Sequence, residues 1–361
     1  MKSLPIVFAT LLMASGLIAS AGCGGGRNAK SGEPSMAQLK GRVPPKPKDP
    51  PAVRPAKDVP LDPALASAAR AELTEAFHSK DKTLRANALE AMREVPDDVS
   101  RRAILKGLED EEPIVRFSAA MAAGELRLGD AKQPLLAMVN DPNPNVGIAV
   151  RFALHKLGIT EYTHDLEKTA RDPDPNVRGN TALVLGLLGE KDAIKKILKV
   201  LRLDQNPAVR QQASEAMWRL GDPEAKDDLL ALTVSSYADD QMLGYLALAG
   251  PRNQEVRKYV YSGLTSDYLE VSLAAARAMG LLGSDAGYGV AEKGAKSTKP
   301  AQRFLAAMAF AAIGRTDAQP MLEKLLKDKD PKVRVAAASA VLQLGPGATA
   351  RLAGARAGQG G

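Results

Sequence analysis

One short motif recurs along the chain at nearly constant intervals. Its clear copies have Asp, then Pro three residues later, Val five later and, in four of five, Arg six later; they occupy 110–116, 141–147, 172–178, 204–210 and 328–334. Weaker copies centre on Leu84, Met242, Val271 and Gln302. Counted at the apolar anchor, the copies lie at 84, 115, 146, 177, 209, 242, 271, 302 and 333, with steps of 31, 31, 31, 32, 33, 29, 31 and 31. A unit this short cannot bury its own apolar face, so it is stable only when it stacks on its neighbours.

Each unit has the local signals of a helix, a turn and a second helix. The turn Asp can accept hydrogen bonds from free N–H groups, and Pro suits the first turn of the helix that follows. In one copy the small or apolar residues then follow at helical spacing, at Val177, Thr181, Val184, Leu185 and Leu188. Glycine ends these helices at 158, 189, 221, 283, 314 and 345, as expected for a left-handed C-cap. Shorter apolar segments, such as 193–201 and 319–326, predict the helix before each turn. Aromatic residues make up only 4% of the chain, which suits thin layers of closely packed helices.

The Asp-x-x-Pro-x-Val-Arg motif and the terminal Leu-Gly resemble the HEAT-repeat family, in particular the short repeats of phycobilisome-lyase-type proteins. The resemblance covers about residues 63–346. It implies an all-α fold, a right-handed superhelical α-solenoid of about nine helix–turn–helix repeats of about 31 residues. Repeats six to eight depart from the motif, because Met242 lacks both Pro and Arg and Val271 lacks the Pro.

The first 23 residues have the organisation of a bacterial export signal. Lys2 supplies a positive charge, and Leu4 to Ala21 is apolar and almost uncharged. An apolar run of marginal length that ends in small residues is typical of a signal peptide and not of a membrane-spanning helix.

The end of this segment, Ala21-Gly22-Cys23, resembles a lipobox, although Ser20 stands where Leu is commoner. The resemblance implies that the only cysteine, Cys23, carries a diacylglycerol and becomes the N-terminus. The protein would then be exported and anchored to the cell membrane or outer membrane, facing the periplasm or the exterior. Cleavage near residues 19–21 without lipid is the alternative.

Proline and charge divide the rest of the chain. Residues 24–62 are rich in Pro and Gly and predict an extended, disordered tether, 63–346 the solenoid, and 347–361 a flexible Gly/Ala-rich tail. The net charge is +7, but residues 24–60 hold eight basic and three acidic residues, so the part from 61 onwards is almost neutral. A nearly neutral solenoid argues against a nucleic-acid partner.

The basic and acidic residues of the motif recur in step, which predicts a structural ladder of ion pairs between a turn Asp and an Arg of the same or the next repeat. An anion-binding ladder is the alternative, with Arg85 and Arg303 in the same series. The ladder consists of Asp110, Arg116, Asp172, Arg178, Asp204, Arg210, Asp328 and Arg334.

No catalytic residues are predicted. The histidines, His78, His155 and His164, lie in no His-Glu pair, so the two-iron site of deoxyhypusine hydroxylase, a HEAT-repeat enzyme, is not expected. There is no nucleophile–base signature either. We expect no metal, no cofactor and no enzymatic activity.

Aromatic residues gather in one region, and we take them as a candidate interaction patch. Packing of large rings into gaps between imperfect repeats is the alternative. The patch consists of Trp218, Tyr237, Tyr245, Tyr259, Tyr261 and Tyr268.

These patterns predict a membrane-tethered HEAT-repeat scaffold that binds unknown protein partners at the cell envelope. A lyase-like or enzyme-accessory HEAT protein is one alternative. A binder of an envelope polymer or another ligand is the second.

Overall fold

The computed structural model describes residues 56–189 and 192–344, without the side chains of 192 and 193. Within these ranges the chain forms eighteen α-helices and no strand, which confirms the predicted all-α repeat fold. The predicted signal peptide with Cys23, residues 24–55 of the predicted tether, and the predicted tail 347–361 lie outside the described residues. No helix among the described residues has the length and apolar character needed to cross a membrane.

The eighteen helices form nine successive pairs, one pair to a repeat. The first helices are α1 (Pro63–Phe77), α3 (Asp98–Gly107), α5 (Lys132–Ala137), α7 (Leu166–Thr169), α9 (Asp192–Leu201), α11 (Pro223–Thr233), α13 (Arg257–Ser262), α15 (Tyr288–Ala295) and α17 (Gln319–Leu326). The second helices are α2 (Lys82–Glu94), α4 (Pro113–Glu125), α6 (Pro144–Lys156), α8 (Pro175–Leu188), α10 (Pro207–Arg219), α12 (Ala238–Ala249), α14 (Leu269–Leu281), α16 (Pro300–Ile313) and α18 (Pro331–Gln343).

The ends of the second helices follow the predicted signals. Proline opens six of them, where its missing N–H costs nothing. Asp174 caps α8 by accepting the N–H of Asn176 at 2.8 Å. Glycines at 158, 189, 221, 283 and 314 have positive φ and end the helices as predicted, and Gly345 lies outside the described residues.

The described residues fall into two compact units, 75–226 and 56–74 with 227–344. In the first unit α2, α4, α6, α8 and α10 pack in sequence, each against the next. In the second unit α12, α14, α16 and α18 do the same. The anchor, the third residue of each second helix, is buried in most repeats. In both units the second helices therefore form a layer, and the first helices cover it.

Repeat six has a different register from the predicted one. Helix α12 begins at Ala238, so its third residue, equivalent to Val271 in the next repeat, is Asp240 and not Met242. The steps around it are 31 and 31, and the predicted irregular steps of 33 and 29 are wrong. The anchor of this repeat is polar and not apolar, and Ser235 Oγ donates to Asp240 Oδ2 at 2.9 Å.

The second unit includes a segment from the beginning of the described chain. Residues 57–62 lie along the start of α17, where the Val59 N–H donates to Thr316 Oγ1 at 3.0 Å and the Asp62 N–H to Gln319 Oε1 at 2.8 Å. These residues belong to the predicted tether 24–62, so the chain is held by hydrogen bonds several residues before the predicted boundary.

Helix α1 continues this contact into the last repeat. Arg334 of α18 donates from Nε to Glu72 Oε1 at 2.9 Å. Leu65, Ala69 and Leu73 of α1 are buried. In four other repeats the turn acid of the following repeat lies opposite this arginine. For α18, the last described helix, α1 supplies the acid.

Candidate functional site: the turn edge of repeats six and seven

On four of the second helices, α2, α4, α8 and α16, an arginine joins its own turn to the next one. Helix α6 carries Gly147 at this position. Arg178 donates from Nε and Nη2 to the two carboxylate oxygens of Asp204 at 2.7 and 2.9 Å, and from Nη1 to the carbonyl of Asp172 at 2.7 Å. The Arg178 guanidinium holds the pKa of Asp204 below its usual range. The same pairs form between Arg85 and Asp110, Arg116 and Asp141, and Arg303 and Asp328. Of the arginines in the predicted ladder, Arg178 pairs with the turn acid Asp204, whereas Arg210 donates to backbone carbonyls and Arg334 pairs with Glu72.

The ladder is interrupted in repeats six and seven. Serine occupies the turn-acid position at 235, 266 and 297, and the arginine positions carry Gln241 and Ser272. Both still donate to a carbonyl of their own turn: Gln241 Nε2 reaches Ser235 O at 2.6 Å, and Ser272 Oγ reaches Ser266 O at 3.2 Å. The link within each turn is thus kept, and the charged link to the next repeat is absent. Arg210, before the interruption, donates to the carbonyls of Asp204 and Gln205.

Two tyrosines occupy equivalent positions in this interrupted segment. Tyr237 and Tyr268 are the N-cap residues of α12 and α14, and neither side chain accepts a capping hydrogen bond. Their exposed fractions are 39% and 54%. The other second helices have mostly Asp or Asn at this position, as at Asp81, Asn143 and Asp330. We call Tyr237 and Tyr268 the tyrosine edge.

Acidic residues surround the tyrosine edge in sequence. Asp239 and Asp267 are exposed. Glu270, which is half-buried, accepts from Gln302 Nε2 at 2.8 Å and lies 3.7 Å from Lys299 Nζ. Carboxylates therefore stand next to both rings of the tyrosine edge in the sequence.

The remaining members of the predicted aromatic patch lie elsewhere. Tyr245 is buried, and burial raises the pKa of its hydroxyl. Trp218 is buried in the first unit. Tyr259 and Tyr261 are partly exposed in the second unit. Trp218 and Tyr245 have the packing role that the sequence left as the alternative.

The structure also shows a buried charge cluster that sequence reasoning missed. Arg93 lies among three carboxylates, with Nη2 at 2.7 Å from Glu94 Oε1 and Nη1 at 3.0 Å from Glu125 Oε2 and 3.4 Å from Glu90 Oε2. All four side chains are nearly inaccessible to solvent. Burial raises the pKa of Glu125 to about 7, against the opposing effect of Arg93. A signal was present, since Glu90 stands six residues after its anchor, where repeats two, three and four carry Met121, Phe152 and Leu183, although repeat five also has a buried glutamate there, Glu215.

The three histidines lie apart from these groups. His78 and His164 are exposed, and His155 is half-buried with Nδ1 3.0 Å from Thr163 Oγ1. Among the described residues, no group of three or more His, Cys, Asp or Glu side chains is arranged to hold a metal ion.

The stacked helical pairs and their ion-pair ladder define a helical repeat protein. A family model described as HEAT repeats matches residues 70–155, 163–249 and 290–357, more than half of the chain. The chain belongs to the HEAT-repeat family. A comparison with curated proteins gave no match.

Several solved structures are similar at low identity. The complex of CpcE and CpcF of phycocyanin lyase from a Nostoc species is 18% identical, with 66% of this chain and 93% of that chain covered and a TM-score of 0.38. Human deoxyhypusine hydroxylase in complex with glycerol is 16% identical, with 78% and 97% covered and a TM-score of 0.35. Kap121p is 13% identical, with 78% and 37% covered and a TM-score of 0.33. Similarity at this level carries no argument about the function of this chain.

Proposed function

We propose that the protein is a non-enzymatic HEAT-repeat scaffold, tethered to a membrane at the cell envelope, which binds a protein partner through the tyrosine edge. The observation that carries this proposal is the exposure of Tyr237 and Tyr268 at one repeat position in two successive repeats. HEAT-type arrays present extended surfaces to their partners.

Tyrosine at these two N-cap positions lowers the stability of the fold, because it does not cap the helix. An Asp or Asn at an N-cap satisfies a backbone N–H that the helix itself leaves free, and its loss costs about 1 kcal/mol. Tyr268 makes no such bond, and more than half of its side-chain surface is exposed, so its ring contributes little packing in return. A residue that weakens a cap and remains exposed is better explained by binding than by folding.

The chemistry around the rings favours a partner segment with positive charge. Tyr is common at the energetically dominant positions of protein interfaces. Its ring attracts Lys or Arg through the cation–π interaction. The exposed carboxylates of Asp239 and Asp267 lie within two residues of the rings in sequence. We therefore expect a basic segment of the partner to dock at the tyrosine edge.

Tyr268→Asn should change stability and binding in opposite directions. Asparagine can cap α14, so we expect the free energy of unfolding to rise by about 0.5–1 kcal/mol. Loss of the ring should weaken partner binding by about 1–3 kcal/mol. Urea denaturation measures the first effect. The second is measured in intact cells as the yield of protein adducts from a photoreactive residue at Asp267, with and without Tyr268→Asn.

The matched reporter for this experiment is a photoreactive residue at Glu111, which is exposed in the turn of repeat two. It should give few adducts, and Tyr268→Asn should not change them. A fall in stability would show that the ring is a packing residue. Adducts at Asp267 that persist unchanged in Tyr268→Asn would show that the tyrosine edge does not bind the partner.

Cys23→Ala tests the membrane tether separately. We expect the variant to leave the membrane fraction and to incorporate no labelled fatty acid, because the thiol that accepts the lipid is gone. Cell fractionation and metabolic labelling measure both effects. Membrane retention equal to that of the unchanged protein would contradict the lipid anchor without affecting the tyrosine edge.

A further inference from the structure

The end of helix α9 and the turn after it carry the most exposed large apolar side chains of the described residues. Val200 and Leu203 have exposed fractions of 70% and 84%, whereas Leu198 and Leu201 beside them are buried. One face of α9, with Leu198 and Leu201, is therefore packed inside the first unit. The opposite face presents apolar groups to solvent.

Two exposed lysines share that face. Lys196, Lys199, Val200 and Leu203 follow the spacing that brings residues to one side of a helix, and Leu203 continues the last turn through its N–H bond to Val200 O at 3.0 Å. No described side chain forms an ion pair with either lysine. We call these four residues the apolar–basic patch.

Five other repeats carry polar or charged residues at the two apolar positions of this patch, and repeat six carries Ala231 and Val234, which are buried and half-buried. The position equivalent to Val200 is exposed and carries Glu75, Lys106, Lys168, Lys293 and Lys324 in repeats one, two, four, eight and nine. The position equivalent to Leu203 carries His78, Glu109, Arg171, Lys296 and Lys327 in the same repeats. The array therefore does not require apolar residues here, and packing within the repeat does not explain Val200 and Leu203.

The size of the patch favours a lipid surface over a protein. A stable protein interface covers roughly 800 Å² on each partner, far more than two side chains supply. A bilayer needs only a few apolar groups that enter the boundary between headgroups and acyl chains. Lysines beside such groups extend their ammonium groups to the phosphates, and an anionic leaflet attracts each of them.

We propose that the apolar–basic patch binds an anionic phospholipid bilayer, with Val200 and Leu203 in the interface and Lys196 and Lys199 on the headgroup phosphates. This contact is independent of the lipid anchor and of the tyrosine edge. It would add a second membrane contact, on the folded part of the chain, to the diacylglycerol expected at Cys23.

The test uses the full chain in a Cys23→Ser background, so that one introduced cysteine is the only thiol. A Leu203→Cys variant labelled with an environment-sensitive fluorophore reports directly whether this site enters a bilayer, whatever the N-terminus does. We expect a blue shift and brighter emission with vesicles of 70% phosphatidylcholine and 30% phosphatidylglycerol, and little change with phosphatidylcholine alone. The matched control is Val99→Cys, an exposed valine on the equivalent helix α3 of repeat two, where no shift is expected.

Charge is tested by adding Lys196→Gln and Lys199→Gln to the labelled protein. Each lysine near an anionic surface contributes enough attraction that the pair of changes should weaken partition about 30-fold. Circular dichroism of each variant should match that of the starting protein, since both positions are exposed.

Three results would overturn the proposal. The first is no response of the Leu203→Cys label to anionic vesicles. The second is an equal response of the Val99→Cys label, which would mean unspecific adsorption. The third is a response that persists undiminished after both lysines are changed. A label silent with vesicles but shifted by a membrane-free cell extract would assign the patch to a protein instead.

Discussion

Arg93→Met should lower the free energy of unfolding by about 3–5 kcal/mol at pH 8, because it leaves buried carboxylates without their cation. Arg93 contacts Glu90, Glu94 and Glu125 within 3.4 Å, and all lie out of reach of solvent. Methionine has a similar length and fills most of the same volume, so the loss reflects charge more than packing. Urea denaturation of the variant and the unchanged protein at equal concentration measures it.

The same variant should recover much of its stability as the pH falls. Burial raises the pKa of Glu125 to about 7 in the folded protein, above the ordinary value of 4.5, so folding is favoured when the group is protonated. Stability from this group is present at low pH and is lost as the pH rises through 7. Removing Arg93 raises the pKa further, because the guanidinium is the largest influence that opposes burial. We therefore expect the loss to be much smaller at pH 5.5 than at pH 8.

Glu125→Gln separates charge from shape in this prediction. In the Arg93→Met background it should restore stability at pH 8 and flatten the pH dependence, because one buried charge is gone. A loss in Arg93→Met that is equal at pH 5.5 and pH 8 would show that packing, and not the uncompensated carboxylates, dominates.

The sequence predicted the repeats well because every repeat solves the same local problem. Turn acids, prolines and left-handed glycines act within a few residues, and each recurs in at least five of the nine repeats, so the clear copies locate the weaker ones. The prediction failed where the anchor became polar. Asp240 and Gln302 are hydrogen-bonded to Ser235 and Ser297 in their own turns. Because an apolar anchor was expected, the sequence predicted Met242 in place of Asp240.

Contacts between distant segments could not be predicted in the same way. Glu72 and Arg334 are separated by 262 residues, and the local bond of Arg334 to the Asp328 carbonyl does not indicate Glu72 as its second partner. The buried cluster around Arg93 joins two helices, and in the sequence only Glu90, at a position that is apolar in repeats two to four, marks it. The exposure of individual tyrosines could not be predicted either. Tyr245 and Tyr268 lie in adjacent repeats, but only Tyr245 is buried.

Gly186→Val should destabilise the protein by about 3 kcal/mol or more, although valine is a better helix former than glycine. Gly186 lies on α8 where α10 comes closest, and a Cβ there would lie 2.7 Å from Ala216 Cβ and 2.8 Å from Ala216 Cα. The backbone of α10 would have to move, and packed helices resist such a shift. Urea denaturation followed by circular dichroism measures the loss.

Gly179→Ala is the matched control on the same helix. No atom lies within 4 Å of the Cβ it would add, so only the helix propensity changes, and we expect a gain of about 0.5–1 kcal/mol. Gly186→Ala should already lose stability, because the clash begins at the Cβ itself. Opposite signs for the two alanine variants would show that close approach of the second helices, and not helix propensity, fixes the glycine at 186. A gain in stability for Gly186→Ala as well would show that α8 and α10 can move apart without loss.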